Sequence, residues 1–324
     1  MKILLAQPRG FCAGVARAID IVLAALAKFG TPVYVRKEIV HNKAVLRALA
    51  AKGAVFIDEV ERVPRGATVI LSAHGVAPEI HARAAALSLN VVDATCPLVT
   101  KVHLEAARFA RQNRPTIIVG QREHEEVVGT LGHAIQGALV VADVVEAESV
   151  VLAPGPEPAV LTQTTYSQID AAEVVAALRR KFPNLVTPPH DDICYATQNR
   201  QRAVREMARF ADVILVLGSA NSSNSNRLCD IARAAGARAY LLDDLAELRL
   251  DWLDGSECVG VTSGASTPDH VVEELIDYLC SLKSASIEIV EVAREDVVFG
   301  IPSALVEYAV APAGIPPRLP EGSI

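Results

Sequence analysis

The sequence predicts an α/β protein assembled from three small parallel units. Apolar strands alternate with Ala-rich helices along most of the 324 residues, and aliphatic side chains dominate while aromatics make up only 4%. The order of elements also recurs three times, more visibly than residue identity does. The length exceeds one typical domain and suggests two or three compact units of roughly 100 residues.

The first unit opens with the strand KILLAQ and reaches Cys12. The helix GVARAIDIVLAALAKFG follows, with Val15, Ile19, Val22, Leu23 and Leu26 on one face and Gly30 as its stop. PVYVRKEIV then runs into His41 and Asn42; a helix and the strand AVFIDEV come next, and ATVILSAHG reaches His74. In the second unit NVVDAT leads to Cys96, with Pro97 where a first helical residue belongs. TIIVG leads to His124 and Glu126, and PAVLTQTT ends at Thr164 and Thr165 before a helix from Asp170 to Phe182. In the third, DDIC brings Cys194, followed by the helix RQRAVREMARFA. VILVLG leads to Ser222, Ser223, Asn224 and Asn226, and ECVGVTSGAS ends at Ser266 before the helix DHVVEELIDYLCSL. This reading sets units at 1–95, 96–193 and 194–283. Residues 284–324 are an addition in which IEIVEV and DVVFGIP form one or two strands, and the Pro- and Gly-rich end APAGIPPRLPEGSI is expected to be mobile.

Spacing supports the repeat. The second motif falls 29, 28 and 28 residues after Cys12, Cys96 and Cys194, and the third falls 62, 68 and 72 residues after. Ligands of open α/β sheets bind beyond the carboxyl ends of the strands, where all nine motifs fall. The expected architecture is therefore a pseudo-threefold trefoil around a central cavity.

A net charge of −7 argues against non-specific nucleic-acid binding. No apolar run approaches the roughly 18 residues that span a bilayer. The N-terminal run ILLA is too short for an export signal, so a cytoplasmic location is expected. The six cysteines form no CxxC pair. Cys229, Cys258 and Cys280 fall in apolar helices or a strand and read as small buried hydrophobes. Cys12, Cys96 and Cys194 each sit between a strand and a helix, where a helix N-terminus favours the metal-binding thiolate. Three thiolates suit a [4Fe–4S] cluster with one iron not ligated by protein. Spacing alone also leaves open a zinc site completed by His41, His74 or His124. His81, His103, His133, His190 and His270 read as structural, satisfied histidines.

Several strings together resemble one family. They are PRGFCAGV around Cys12, SAHGV at His74, DATCPLVTKVH around Cys96, TQTT at Thr164, DDICYAT around Cys194, GSANSSNSNRL at Ser222 and VTSGAS at Ser266. In this order, from about Met1 to Leu282, they resemble the 4-hydroxy-3-methylbut-2-enyl diphosphate reductases of the methylerythritol phosphate route to isoprenoids. The resemblance implies a [4Fe–4S] cluster on Cys12, Cys96 and Cys194. It implies a trefoil of three α/β domains and two-electron removal of an allylic hydroxyl, giving isopentenyl and dimethylallyl diphosphate. By motif, His41, His74, Ser222, Ser223, Asn224 and Ser266 would hold the diphosphate, while His124, Thr164 and Glu126 would face the hydroxyl, Glu126 as proton donor.

The residue types suit such a ligand. The chain lacks GxxxxGK[ST] and GxGxxG, and a ring of His, Ser and Asn at helix starts supplies anion donors instead. The alternative for any single Ser or Asn is a helix cap. With no flavin or nicotinamide motif, the electrons are expected from an external one-electron donor of flavodoxin or ferredoxin type. One segment departs from the family pattern Gly-His-x-Gly-His-Pro-Glu-Val: here Gln121 replaces the first His and Glu125 the Pro. His124 and Glu126 keep their positions, and Glu125 is expected to point away from the cavity. Two rival readings are a quinolinate-synthase-like three-Cys enzyme, which the strings match poorly, and a zinc-stabilised binding protein.

Overall fold

The computed structural model describes residues 1–134 and 137–309. The first stretch folds as β1 (Lys2–Gln7), α1 (Ala13–Phe29), β2 (Val33–Arg36), α2 (Lys43–Ala51), β3 (Ala54–Ile57), β4 (Thr68–Leu71), α3 (Pro78–Ala86) and β5 (Asn90–Asp93). Next come α4 (Pro97–Arg111), β6 (Thr116–Val119), α5 (Glu125–His133), β7 (Leu139–Val141), α6 (Val144–Ser149), β8 (Ala159–Thr162) and α7 (Gln168–Lys181). The last third holds α8 (Tyr195–Met207), β9 (Val213–Leu217), α9 (Ser223–Ala234), β10 (Arg238–Leu242), β11 (Cys258–Ser263), α10 (Asp269–Leu282) and β12 (Ser286–Glu291). The α/β class and the three separate sheets agree with the repeat.

The chain gathers into two compact units. One comprises Met1–Thr31, Val40–Ala54 and the described residues from Ala196 onward. Its sheet has the order β10-β9-β11-β1-β12, parallel throughout. Both faces are apolar. Ile3, Leu5, Val213, Leu215 and Leu217 pack with Val271, Val272 and Leu275 of α10, while Leu4, Ala6, Ile214 and Val216 pack with α8 and α9. Alternation along a strand sends neighbours to opposite faces, so a strand covered on both sides reads as one continuous apolar run.

The other unit comprises Pro32–Ile39 and Val55–Tyr195 and holds two sheets, β3-β2-β4-β5 and β7-β6-β8. Val69 and Leu71 of the first sheet pack with Ile80 and Ala84 of α3. Ile117, Val119 and Val160 of the second pack with Val174, Ala177 and Leu178 of α7.

Three details differ from the sequence reading. β1 pairs with β11 and β12 rather than opening the sheet of β2 to β5. An apolar six-residue strand needs a hydrogen-bonding partner on each side, and these two supply both. DVVFGIP, at 296–302, forms no strand; IEIVEV supplies the one C-terminal strand among the described residues. α8 begins at Tyr195, directly after Cys194, five residues before the stretch RQRAVREMARFA read as this helix. The end segment APAGIPPRLPEGSI lies outside the described residues.

Candidate functional site

Each cysteine is held in place by its backbone. Cys12 N–H donates to Ala265 O (3.1 Å), Cys96 N–H to Ala73 O (3.0 Å) and Cys194 N–H to Thr164 O (3.0 Å). Every acceptor belongs to a third motif, at Ser266, His74 or Thr164, and the strands sort the same way. The strand before Cys12 lies beside the one before Ser266, and the strand before Cys96 lies beside the one before His74. Before Cys194, Asp192 Oδ2 accepts from Thr162 N–H (3.0 Å) at the end of β8. Each sheet thus carries the cysteine that follows it in sequence, a circular shift of the repeat by one strand.

All six cysteines are thiols, none in a disulfide. Cys12 and Cys96 occupy N-cap positions, and neither side chain caps its helix. Helices usually start on Ser, Thr, Asp or Asn because those side chains bond the exposed N–H groups. A cysteine there forgoes that bond, and both residues stay partly exposed at their helix starts. Cys229, by contrast, is buried, and burial pushes its thiol up to about 12. The donor set at Cys12, Cys96 and Cys194 therefore fits a thiolate-bound iron–sulfur group, and Cys229 does not. Among the described residues, no three His, Cys, Asp or Glu gather closely enough for a single metal ion.

The compact unit built on the five-stranded sheet collects anion-binding residue types. Ser222 caps α9, its Oγ accepting from Ser225 N–H (3.3 Å) and Ser225 Oγ–H (3.0 Å). The helix-cap role is thus real, and the Ser222 hydroxyl hydrogen stays available to a ligand. Ser266 Oγ–H donates to His41 O (2.9 Å), and Asn221 Nδ2 lies 3.4 Å from His41 Nδ1. Ser223 is buried in the first turn of α9. Asn224 beside it is only 4% exposed, yet its Oδ1 and Nδ2 have no hydrogen-bond partner. A buried amide with both ends unpaired is costly, by about 1–3 kcal/mol per group, and points to a ligand that completes it.

The second unit collects a proton-handling set. His124 is the N-cap of α5, its Nδ1 accepting from Glu126 N–H (3.2 Å), so a neutral ring carries its proton on Nε2. Glu126 lies in the first helical turn rather than on a strand end, and is 2% exposed. Its Oε1 accepts from Thr164 N–H (2.5 Å) and its Oε2 from Thr164 Oγ1–H (2.9 Å). Burial lifts its pKa to about 7 against those two hydrogen bonds, which favour the carboxylate. The ring of His74 stands edge-on to that of His124, with centroids 5.7 Å apart. Glu125 turns away to β2, where Arg36 Nη1 lies 3.3 Å and Lys37 Nζ 3.9 Å from its carboxylate.

Of two stacked histidines read as satisfied, His133 is so, its Nε2 lying 3.2 Å from Val76 O, whereas His103 is not. His103 is buried with Nε2 unpaired and stacks on His133 at 4.2 Å, and burial lowers its pKa to about 4. The pair backs the loop that carries His74: a Cβ at Gly75 would come within 2.4 Å of the His103 ring. His103 lies in DATCPLVTKVH, but nothing in its spacing distinguishes it from a core residue. Asn221 and Arg36 were likewise not singled out by the sequence, because their partners are distant along the chain.

The family model described as LytB protein matches residues 3–280. A 4-hydroxy-3-methylbut-2-enyl diphosphate reductase of Acidothermus cellulolyticus is 51% identical over 305 residues, covering 94% of this chain and 90% of that one. A solved structure of the E-1-hydroxy-2-methyl-but-2-enyl-4-diphosphate reductase of Plasmodium falciparum aligns with TM-score 0.91 at 35% identity, covering 94% of this chain and 97% of that one. A second solved reductase, described as the terminal enzyme of the non-mevalonate pathway, aligns with TM-score 0.59 at 31% identity over 87% of this chain and all of that one.

Proposed function

Because the chain belongs to the LytB family of 4-hydroxy-3-methylbut-2-enyl diphosphate reductases, we propose that it removes the allylic hydroxyl of that diphosphate. Two electrons and two protons enter; isopentenyl or dimethylallyl diphosphate and water leave. One proton departs with the hydroxyl as water and the other ends on carbon.

Cys12, Cys96 and Cys194 are the protein ligands of a [4Fe–4S] cluster, one iron of which has no protein ligand. When bound, this cluster supplies electrons one at a time and a Lewis-acidic iron. The electrons come from an external one-electron donor of flavodoxin or ferredoxin type. Asn224, with Ser222, Ser223, Ser266, His41 and His74, binds the diphosphate. Hydrogen bonds to a charged group contribute about 1.5–3 kcal/mol each, so several together anchor the substrate firmly.

The observation that carries this reading is the Glu126–Thr164 pair. A carboxyl with pKa about 7 keeps a large protonated fraction at neutral pH and can still give its proton up, as a general acid must. When protonated at Oε2, Glu126 donates to Thr164 Oγ1, across the 2.9 Å contact. The Thr164 hydroxyl then turns to donate its own hydrogen onward. His124, capping the same turn, offers Nε2–H as a second donor to the leaving oxygen.

The deciding experiment is anaerobic purification with iron and sulfide analysis, followed by reduction of the allylic diphosphate with an artificial electron donor. Four irons and four sulfides per chain with substrate-dependent donor oxidation are expected. A colourless protein after anaerobic reconstitution, or one inert toward this substrate, would overturn the reading.

A further inference from the structure

Arg200 is the largest fully buried side chain in the described structure, with no exposure at all. It sits on α8, six residues after Cys194, yet its contacts serve the loop before Cys12. Nη2 donates to Gly10 O at 2.8 Å and lies 3.5 Å from Arg9 O. Nη1 donates to Ala196 O (2.9 Å) and pairs with both oxygens of Glu295, at 3.1 and 3.2 Å. Asn199 Nδ2 donates to the same Glu295 carboxylate at 3.0 Å. The loop is fixed elsewhere as well: Gly10 N–H donates to Ser263 Oγ (2.9 Å), and Gly10 has φ +67°, where a Cβ would strike Asp269 Oδ1.

Lys101 repeats the arrangement in the other unit. It lies on α4, five residues after Cys96, and its Nζ donates to His190 O (3.0 Å) and Asp191 O (2.7 Å) and lies 3.4 Å from Asp192 Oδ1. Those three residues deliver Cys194. In both places, a cation one and a half turns into the helix after one cysteine collects the carbonyls of the loop before another.

We propose that Arg200 and Lys101 are positioning residues that hold the loops presenting Cys12 and Cys194, with Glu295 of the C-terminal segment as the counter-ion on which Arg200 depends. A guanidinium withdrawn from water needs a partner, and without one the surrounding structure opens to readmit solvent. The segment after β12 is by this account a part of the Cys12 loop, although it lies nearly the whole chain away. The inference rests on Cys12 and Cys194 being the cluster ligands, but its test does not need the cluster.

The test is site-resolved alkylation of the full-length chain, freed of iron by chelation under reductant. In Glu295→Gln, Cys12 should be alkylated at least about tenfold faster than in the parent, with Cys96 and Cys194 unchanged. In Lys101→Met the acceleration should move to Cys194 and spare Cys12. Circular dichroism and iron uptake on reconstitution are followed in parallel. If the parent chain takes up no iron, the reading of the function fails, while the alkylation pattern still decides this proposal. Equal acceleration of all three thiols marks general destabilisation, and no acceleration marks an idle contact; either result overturns it.

Discussion

At the scale of single residues, Glu126 and its neighbour Glu125 separate two environments one position apart. Glu126 is buried against Thr164, and Glu125 faces Arg36 and Lys37. Glu126→Gln keeps shape and hydrogen bonding but has no acidic proton, so turnover should fall about 10²–10⁴-fold while substrate still binds. Glu125→Gln should change turnover little, and steady-state reduction by both variants measures the contrast. The pH dependence follows from the same burial. Because the pKa of Glu126 rises from 4.5 to about 7 on folding, the native state holds this proton more tightly than the unfolded chain. The stability so gained is fully present below pH 4.5 and is lost as pH climbs through about 7. Turnover should fall along that upper limb, and the limb should vanish in the residual activity of Glu126→Gln. Asn224→Ala removes an amide that has no partner within the protein. It should weaken diphosphate binding about 10- to 150-fold and leave iron content unchanged, as calorimetric titration and iron analysis would report.

At the scale of elements, α5 is the piece on which the proton-handling set depends. Its N-terminus carries His124 and Glu126, and its other end packs on the loop after His74 through glycines. A Cβ at Gly132 would lie 2.2 Å from Ala77 Cβ, and one at Gly129 would lie 3.3 Å from the Gly75 backbone. Gly→Ala inside an unobstructed helix stabilises by up to about 1 kcal/mol. Here the close approach reverses the sign: Gly132→Ala should destabilise by about 1–3 kcal/mol in urea unfolding. It should also lower turnover more than substrate affinity, since the displaced helix carries the acid. Glu125, standing where the family has Pro, is the first residue of α5, where a carboxylate suits the helix dipole as well as Arg36.

At the scale of the whole chain, three parallel sheets each pair a cysteine with the third motif that precedes it or, for Cys12, with the last one. The cysteines divide accordingly. Cys12→Ser, Cys96→Ser and Cys194→Ser should each lose most iron, whereas the same change at Cys229, Cys258 or Cys280 should leave it near normal. Equal loss in both sets would show that the ligands were misassigned. Membership of the LytB family favours the reductase reading over the quinolinate-synthase-like enzyme and the zinc-stabilised binding protein. Among the described residues, no helix is long and apolar enough to cross a membrane.

The sequence by itself determined the class of fold, the three cysteines at strand–helix junctions and the family, because these depend on local pattern and on contiguous strings. The stop of α1 at Gly30 and the cap at Ser222 were legible for the same reason. Tertiary structure alone decided which strand lies beside which: β1 joins β11 and β12, since hydrogen-bond partners for an apolar strand come from wherever the chain returns. It also decided that Glu126 is buried and protonatable while Glu125 is paired, that His103 stacks on His133, and that Asn224 has no partner. The Arg200–Glu295 pair joins residues 95 positions apart. Desolvation and pairing depend on what surrounds a group in space, and residues far apart in sequence supply those surroundings.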